Sequence, residues 1–150
     1  MKQERFTEQA QEALAASQQI AMQFKHSQWD VEHILLALLV QEGGLVGKIL
    51  TELGARVEAV RDKVEAALQK TPKVTYETTQ IYATPRIAQL LKTAGDRADD
   101  FKDEFISTEH LLLAIVEEEK GEAARILKGF GVDREKVLQA LQKLRGGHRV

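Results

Sequence analysis

Apolar residues recur along the first part of the chain at intervals close to 3.6. Phe6, Ala10, Ala13, Leu14, Ile20, Ala21 and Phe24 fall on one face, which predicts an amphipathic helix over 7–25 with Thr7 as its N-cap. The pattern then changes character. After Asp30, a second cap residue, Val31 to Leu39 runs almost without a polar interruption, as expected of a helix buried on every side. A third helix is predicted over Leu45 to Leu53, closed by Gly54 as a left-handed cap, and a fourth over Val57 to Leu68.

The same four-part pattern returns 77 residues later. Aligning residues 7–70 with 84–147 without a gap gives 17 identities in 64 pairs, against about four expected by chance at average composition. The strongest block sets Glu32-His33-Ile34-Leu35-Leu36-Ala37-Leu38 on Glu109-His110-Leu111-Leu112-Leu113-Ala114-Ile115. In the second copy the helices start at Thr84, with Pro85 at the first helical position, at Thr108 behind Ser107, at Glu122, closed by Gly131, and at Asp133. A repeat whose apolar face is covered by its neighbour is the usual meaning of such internal similarity. The predicted fold is therefore all-α, with two pseudo-twofold-related four-helix repeats and about eight helices. Repeat one covers 6–70 and repeat two 84–147, within one domain spanning 1–150. The segment 71–83 loses helical period and gains Pro72 and β-branched residues, so it reads as a linker. Residues 148–150 read as the start of a further linker after a glycine break.

Composition narrows the function classes. Hydrophobic residues are 43% and charged residues 29% of the chain, which suits a soluble globular protein. With 21 basic and 23 acidic residues the net charge is −2, so no positive field would gather nucleic acid or anionic lipid. The absence of cysteine removes disulfides, thiolate metal sites and cysteine nucleophiles. The longest apolar run, Ile34 to Val40, has seven residues, against roughly 20 needed to span a bilayer. The polar start lacks a signal-peptide profile. A cytoplasmic protein is expected, and nothing demands an oligomer, so a monomer is expected too.

No reaction chemistry emerges. Gly43-Gly44-Leu45-Val46-Gly47-Lys48 resembles a phosphate loop superficially, but Glu42 and Ile49 stand where glycine and a hydroxyl residue are required. His33 and His110 are equivalent by the repeat but have no second metal ligand three or four residues away, so a structural role in the first turn is expected. His26 and His148 fall in loops. The acidic residues around Asp96 to Glu104 and Glu117 to Glu119 read as solvated helix faces. What remains is a binding surface where the copies meet, with Leu90, Leu91 and Phe105 either lining it or filling the core.

Several segments carry a resemblance to the Clp N-terminal repeat domain. They are Arg5-Phe6-Thr7-Glu8-Gln9-Ala10, Gln41-Glu42-Gly43-Gly44, Asp103-Glu104-Phe105-Ile106-Ser107-Thr108-Glu109 and the doubled Glu-His-aliphatic block. The ending Leu144-Arg145-Gly146-Gly147 and the Pro72-Lys73-Val74 linker are more similar to the disaggregase branch than to the protease-coupled branches. The resemblance implies a non-catalytic, mobile N-terminal domain on a hexameric ATP-driven machine, engaging unfolded or aggregated polypeptides. ATP and magnesium would belong to ATPase modules absent from this chain, and no cofactor is implied here. It implies Thr7, Asp103 and Glu109 as substrate contacts, with Leu91 in an adjoining apolar groove. The alternative is an adaptor-docking domain of a protease-coupled relative, in which paired glutamates of a Thr-Glu-His context recognise phosphoarginine. Glu32 and Glu109 match those glutamates, but Val31 replaces the threonine in copy one. Together with His26 facing Asp103 across the alignment, this makes the second copy the expected acidic contact site.

Overall fold

The computed structural model describes residues 3–74 and 80–146. Among them are eight α-helices: α1 (Glu8–Gln23), α2 (Val31–Val40), α3 (Leu45–Glu52), α4 (Val57–Gln69), α5 (Pro85–Asp100), α6 (Thr108–Glu117), α7 (Glu122–Gly129) and α8 (Arg134–Arg145). The all-α class and the eight-helix count agree with the periodicity. Expected features at 75–79 and 148–150, including His148, lie outside the described residues.

Local chemistry sets the helix ends. Thr7 caps α1, its hydroxyl accepting from the Ala10 amide at 3.1 Å. Both α2 and α6 begin with a reciprocal cap in which the third helical residue is a histidine. His33 takes the Asp30 amide on Nδ1 at 2.9 Å, and His110 takes the Ser107 amide at 2.9 Å. The ends of α1 and α5 are equally alike. Lys25 and Lys102 both turn left-handed, with φ of 60° and 59°. The amides of His26 and Asp103 then reach back to the carbonyls of Ala21 and Ala98, at 3.0 and 2.9 Å. This turn aims residues 26 and 103 inward, so both are buried. Gly54 and Gly131, each at φ +80°, close α3 and α7 as anticipated.

The core is continuous across both repeats. Val31 to Leu39 and Thr108 to Val116 are buried throughout, so α2 and α6 meet solvent only at their last residues, while the other helices bury one side.

Periodicity did not predict the strand exchange between the repeats. β1 (Gln28–Trp29) pairs in parallel with β2 (Tyr82–Ala83), and the single bridge of Phe6 with Ile106 is its repeat-related counterpart. Thr84 donates its amide to Trp29 at 3.0 Å, and Thr7 donates to Ile106 at 2.9 Å. Each repeat thus ties the start of its first helix to the turn before the other repeat's buried helix. Two-residue strands are too short to show alternation in sequence.

Candidate functional site

The inward turns place residues 26 and 103 at equivalent junctions with different chemistry. In repeat one, the capping bond leaves His33 Nδ1 without a proton, so Nε2–H donates to His26 Nδ1 at 2.8 Å. His26 Nε2–H then donates to the Leu68 carbonyl at the end of α4, at 3.1 Å. Every ring nitrogen is used, and the scheme works only with both rings neutral. His26 lies in the loop between α1 and β1, as expected, but is 1% exposed, because the left-handed turn at Lys25 returns it to the core. Burial pushes both pKa values down, and His33 is lowered to about 4, with the neighbouring His26 adding to the effect.

In repeat two, Asp103 replaces the first histidine. His110 donates Nε2–H to it at 2.7 Å, and because Nδ1 already holds the Ser107 amide, this ring too is neutral. Burial lowers its pKa against the pull of Asp103. The position of the Leu68 carbonyl is taken by Arg145, whose guanidinium bonds to Asp103 and lies 3.5 Å from Glu109 Oε2. Arg145 also stands 5.0 Å over the Phe101 ring. Glu109 Oε1 accepts from Ser107 Oγ at 2.7 Å, while its buried Oε2 has no hydrogen-bond donor among the described residues.

Glu32, the counterpart of Glu109, has a different partner. Arg86, on the first turn of α5, binds it through two parallel bonds of 3.0 and 2.9 Å and also grips Glu118 at 2.6 and 2.5 Å. Asp30 lies 3.1 Å away and takes the Thr84 hydroxyl at 2.8 Å. Thr84 therefore serves the other repeat rather than capping its own helix. The Ala123 amide completes Glu32 at 3.1 Å. Hydrogen bonding to Glu118, with Glu32 and Asp30 in support and burial opposing, raises the Arg86 pKa.

The residues singled out from sequence therefore occupy distinct settings. Asp103 and Glu109 come together around Arg145, with side chains 0% and 2% exposed. Thr7 joins their neighbourhood through Ile106, which precedes the Ser107 cap, and is half-buried. Leu91 is half-buried against the core on α5, roughly 14 Å along the axis from that helix's end at 1.5 Å per residue. Leu90 is core, whereas Phe105, two residues from Asp103, is 40% exposed. Arg86 and Arg145 were not anticipated as site residues. A cation at the start of a helix, where the dipole disfavours it, was a readable signal for Arg86. Arg145, at a helix end where cations are ordinary, offered none.

No group of three histidine or acidic residues among the described residues has metal-binding geometry. No single helix among them is long and apolar enough to cross a membrane.

Residues 5–130 match the Clp repeat (R) N-terminal domain, and the chain belongs to that family. It is similar to the chaperone protein ClpB of Nitratidesulfovibrio vulgaris, with 39% identity over 150 residues, covering 97% of this chain and 17% of the relative. The chain thus spans about a sixth of the length of the curated relatives it matches. Its fold is that of the Hsp104 N-terminal domain from Candida albicans, at TM-score 0.84 and 22% identity, covering 96% of this chain and 93% of that one. The ClpV N-domain in complex with a VipB peptide superposes at TM-score 0.74 with 18% identity, covering 96% and 89%.

Two expectations follow. An unfolded-state histidine titrates near 6.5 whereas His33 titrates near 4, so the unfolded chain binds the extra proton and stability falls as pH drops below 6.5. From pH 6.5 to 5, where most carboxylates stay ionised, the loss is about 2 kcal/mol, read as a fall of about 4–8 °C in Tm. A His33→Gln variant should make that slope shallower, with His26 and His110 leaving a remainder, and an unchanged slope would contradict the neutral relay. The substitution Arg86→Gln, which imitates Gln9 at the equivalent place, should cost about 2–3 kcal/mol in denaturant melts by leaving three carboxylates facing one another.

Proposed function

We propose that this domain binds unfolded or aggregated polypeptides for an ATP-driven disaggregase, and is itself non-catalytic. The observation that carries this reading is the unequal saturation of two equivalent glutamates. Glu32 has both oxygens filled by Arg86 and the Ala123 amide, while the buried Glu109 Oε2 accepts no hydrogen bond from any of the described residues and only faces Arg145 at 3.5 Å. Acceptor capacity is thus retained in the second repeat, beside the exposed ring of Phe105. Carboxylates that take basic groups or backbone amides next to apolar surface suit partners of varied sequence. Thr7, Asp103 and Glu109 are the proposed polar contacts, with Leu91 on the apolar approach. Family membership and similarity to ClpB chaperones support the assignment to a hexameric motor in the cytoplasm, whose ATP and magnesium would bind outside this chain. As an isolated domain it is proposed to be monomeric.

Adaptor docking is the second reading, supported by the fold shared with a ClpV N-domain that holds a VipB peptide. Phosphoarginine recognition at Glu32 is disfavoured by Arg86, which already fills that carboxylate.

Titration with a chemically unfolded, alkylated model protein separates the readings. Binding is expected, and it should weaken about tenfold in Glu109→Gln, the equivalent of 1.4 kcal/mol, with helix content retained. Failure to bind any unfolded chain, with tight binding to a folded adaptor, would reverse the assignment.

A further inference from the structure

Asp103 and Glu109 are proposed as contacts, yet both are closed off by a residue of the same chain. The Arg145 side chain is 12% exposed, and the two carboxylates beneath it have almost no accessible surface. Among the described residues it is Arg145 that covers them, so a partner reaching them takes its place.

Two features make that exchange feasible. The first is that the pocket selects a guanidinium. Glu32 and Glu109 are equivalent in the repeat, and each holds an arginine, but the arginines are not equivalent: position 86 aligns with Gln9 and position 145 with Leu68. The same glutamate position has therefore acquired a guanidinium from two different helices. In the second repeat, the planar group also stacks over Phe101, an arrangement that an ammonium reproduces poorly.

The second feature is the difference in grip. Arg86 lies on the first turn of α5 and binds three carboxylates. Arg145 is the last residue of α8, between the exposed Leu144 and the left-handed Gly146, and helix ends of this kind open at low cost. It hydrogen-bonds to Asp103 but only approaches Glu109 at 3.5 Å. Leaving both carboxylates buried without a cation would be costly, so Arg145 exchanges for another cation rather than opening freely.

We infer that Arg145 is an exchangeable internal occupant of the Asp103–Glu109 pocket, displaced by an arginine side chain of a bound polypeptide, with release of the end of α8. This rests on the reading of those carboxylates as polypeptide contacts. Occupation by Arg145 lowers apparent affinity by the fraction of molecules in which it is seated, and by linkage a bound arginine loosens the last turn of α8.

The probe is acetyl-Gly-Arg-Gly-amide, with its citrulline counterpart and free L-arginine as parallel arms, titrated into the full chain and into Arg145→Gln. The variant should bind the arginine peptide about tenfold more tightly than the unaltered protein, the citrulline peptide should not bind, and free arginine should bind more weakly than the peptide. In the unaltered protein at saturation, amide exchange at residues 142–146 should accelerate. That measurement decides the matter alone if Arg145→Gln does not fold. Equal affinities for the variant and the unaltered protein, no change in exchange at a saturated site, or tighter binding of free arginine would each overturn the inference. If Glu109→Gln still weakens unfolded-protein binding in that event, the proposed function survives. If Glu109→Gln has no effect on it, that reading fails as well.

Discussion

A run of nine helical residues that are all buried has to be covered on all sides, and this chain contains two, in α2 and α6. Neither repeat has enough amphipathic helix to enclose its own, so each repeat covers part of the other's and the core runs unbroken between them. The strand exchange follows from the same need. Anchoring Thr7 to Ile106 and Thr84 to Trp29 places the first helix of each repeat against the entrance of the other's buried helix. It also brings polar residues of one repeat to the first turn of the other, where both glutamates lie.

Those first turns are where the two repeats diverge. Burial makes an unpaired charge costly, and each repeat meets that constraint differently. The first uses neutral groups at residue 26, two histidines and a carbonyl in an ordered chain of hydrogen bonds, and sets its charges apart around Arg86. The second buries a carboxylate at residue 103 and balances it with Arg145. One backbone scaffold thus carries a saturated pocket and a second, more deeply buried one in which Glu109 Oε2 has no hydrogen-bond donor among the described residues. Duplication supplied the scaffold, and substitutions at a handful of positions made its two sites unequal.

Much of the fold was legible in the sequence because helices announce themselves locally. The spacing of Ala10, Ala13 and Ala21, the unbroken run from Val31, and the glycines at 54 and 131 each fix a short stretch without reference to the rest of the chain. The 77-residue offset then supplied the pseudo-symmetry. What remained hidden depends on residues far apart in sequence. The burial of His26 within its loop was hidden because it requires a left-handed lysine before it, a conformation that lysine rarely adopts. Asp103 and Glu109 were legible as candidates, but their closure was not, since Arg145 reaches Asp103 from 42 positions away. Nor does the pairing of Arg86 with Glu32, 54 positions apart, leave any local periodicity.

The central claim is that the two equivalent pockets have unequal roles. Backbone amide shifts recorded during titration with an unfolded polypeptide test it most directly. The account predicts changes around Thr7, Asp103, Phe105 and Glu109, with the amides of Asp30, Glu32, Arg86 and Ala123 unmoved. Changes of equal size at both pockets, or changes confined to the first, would contradict it.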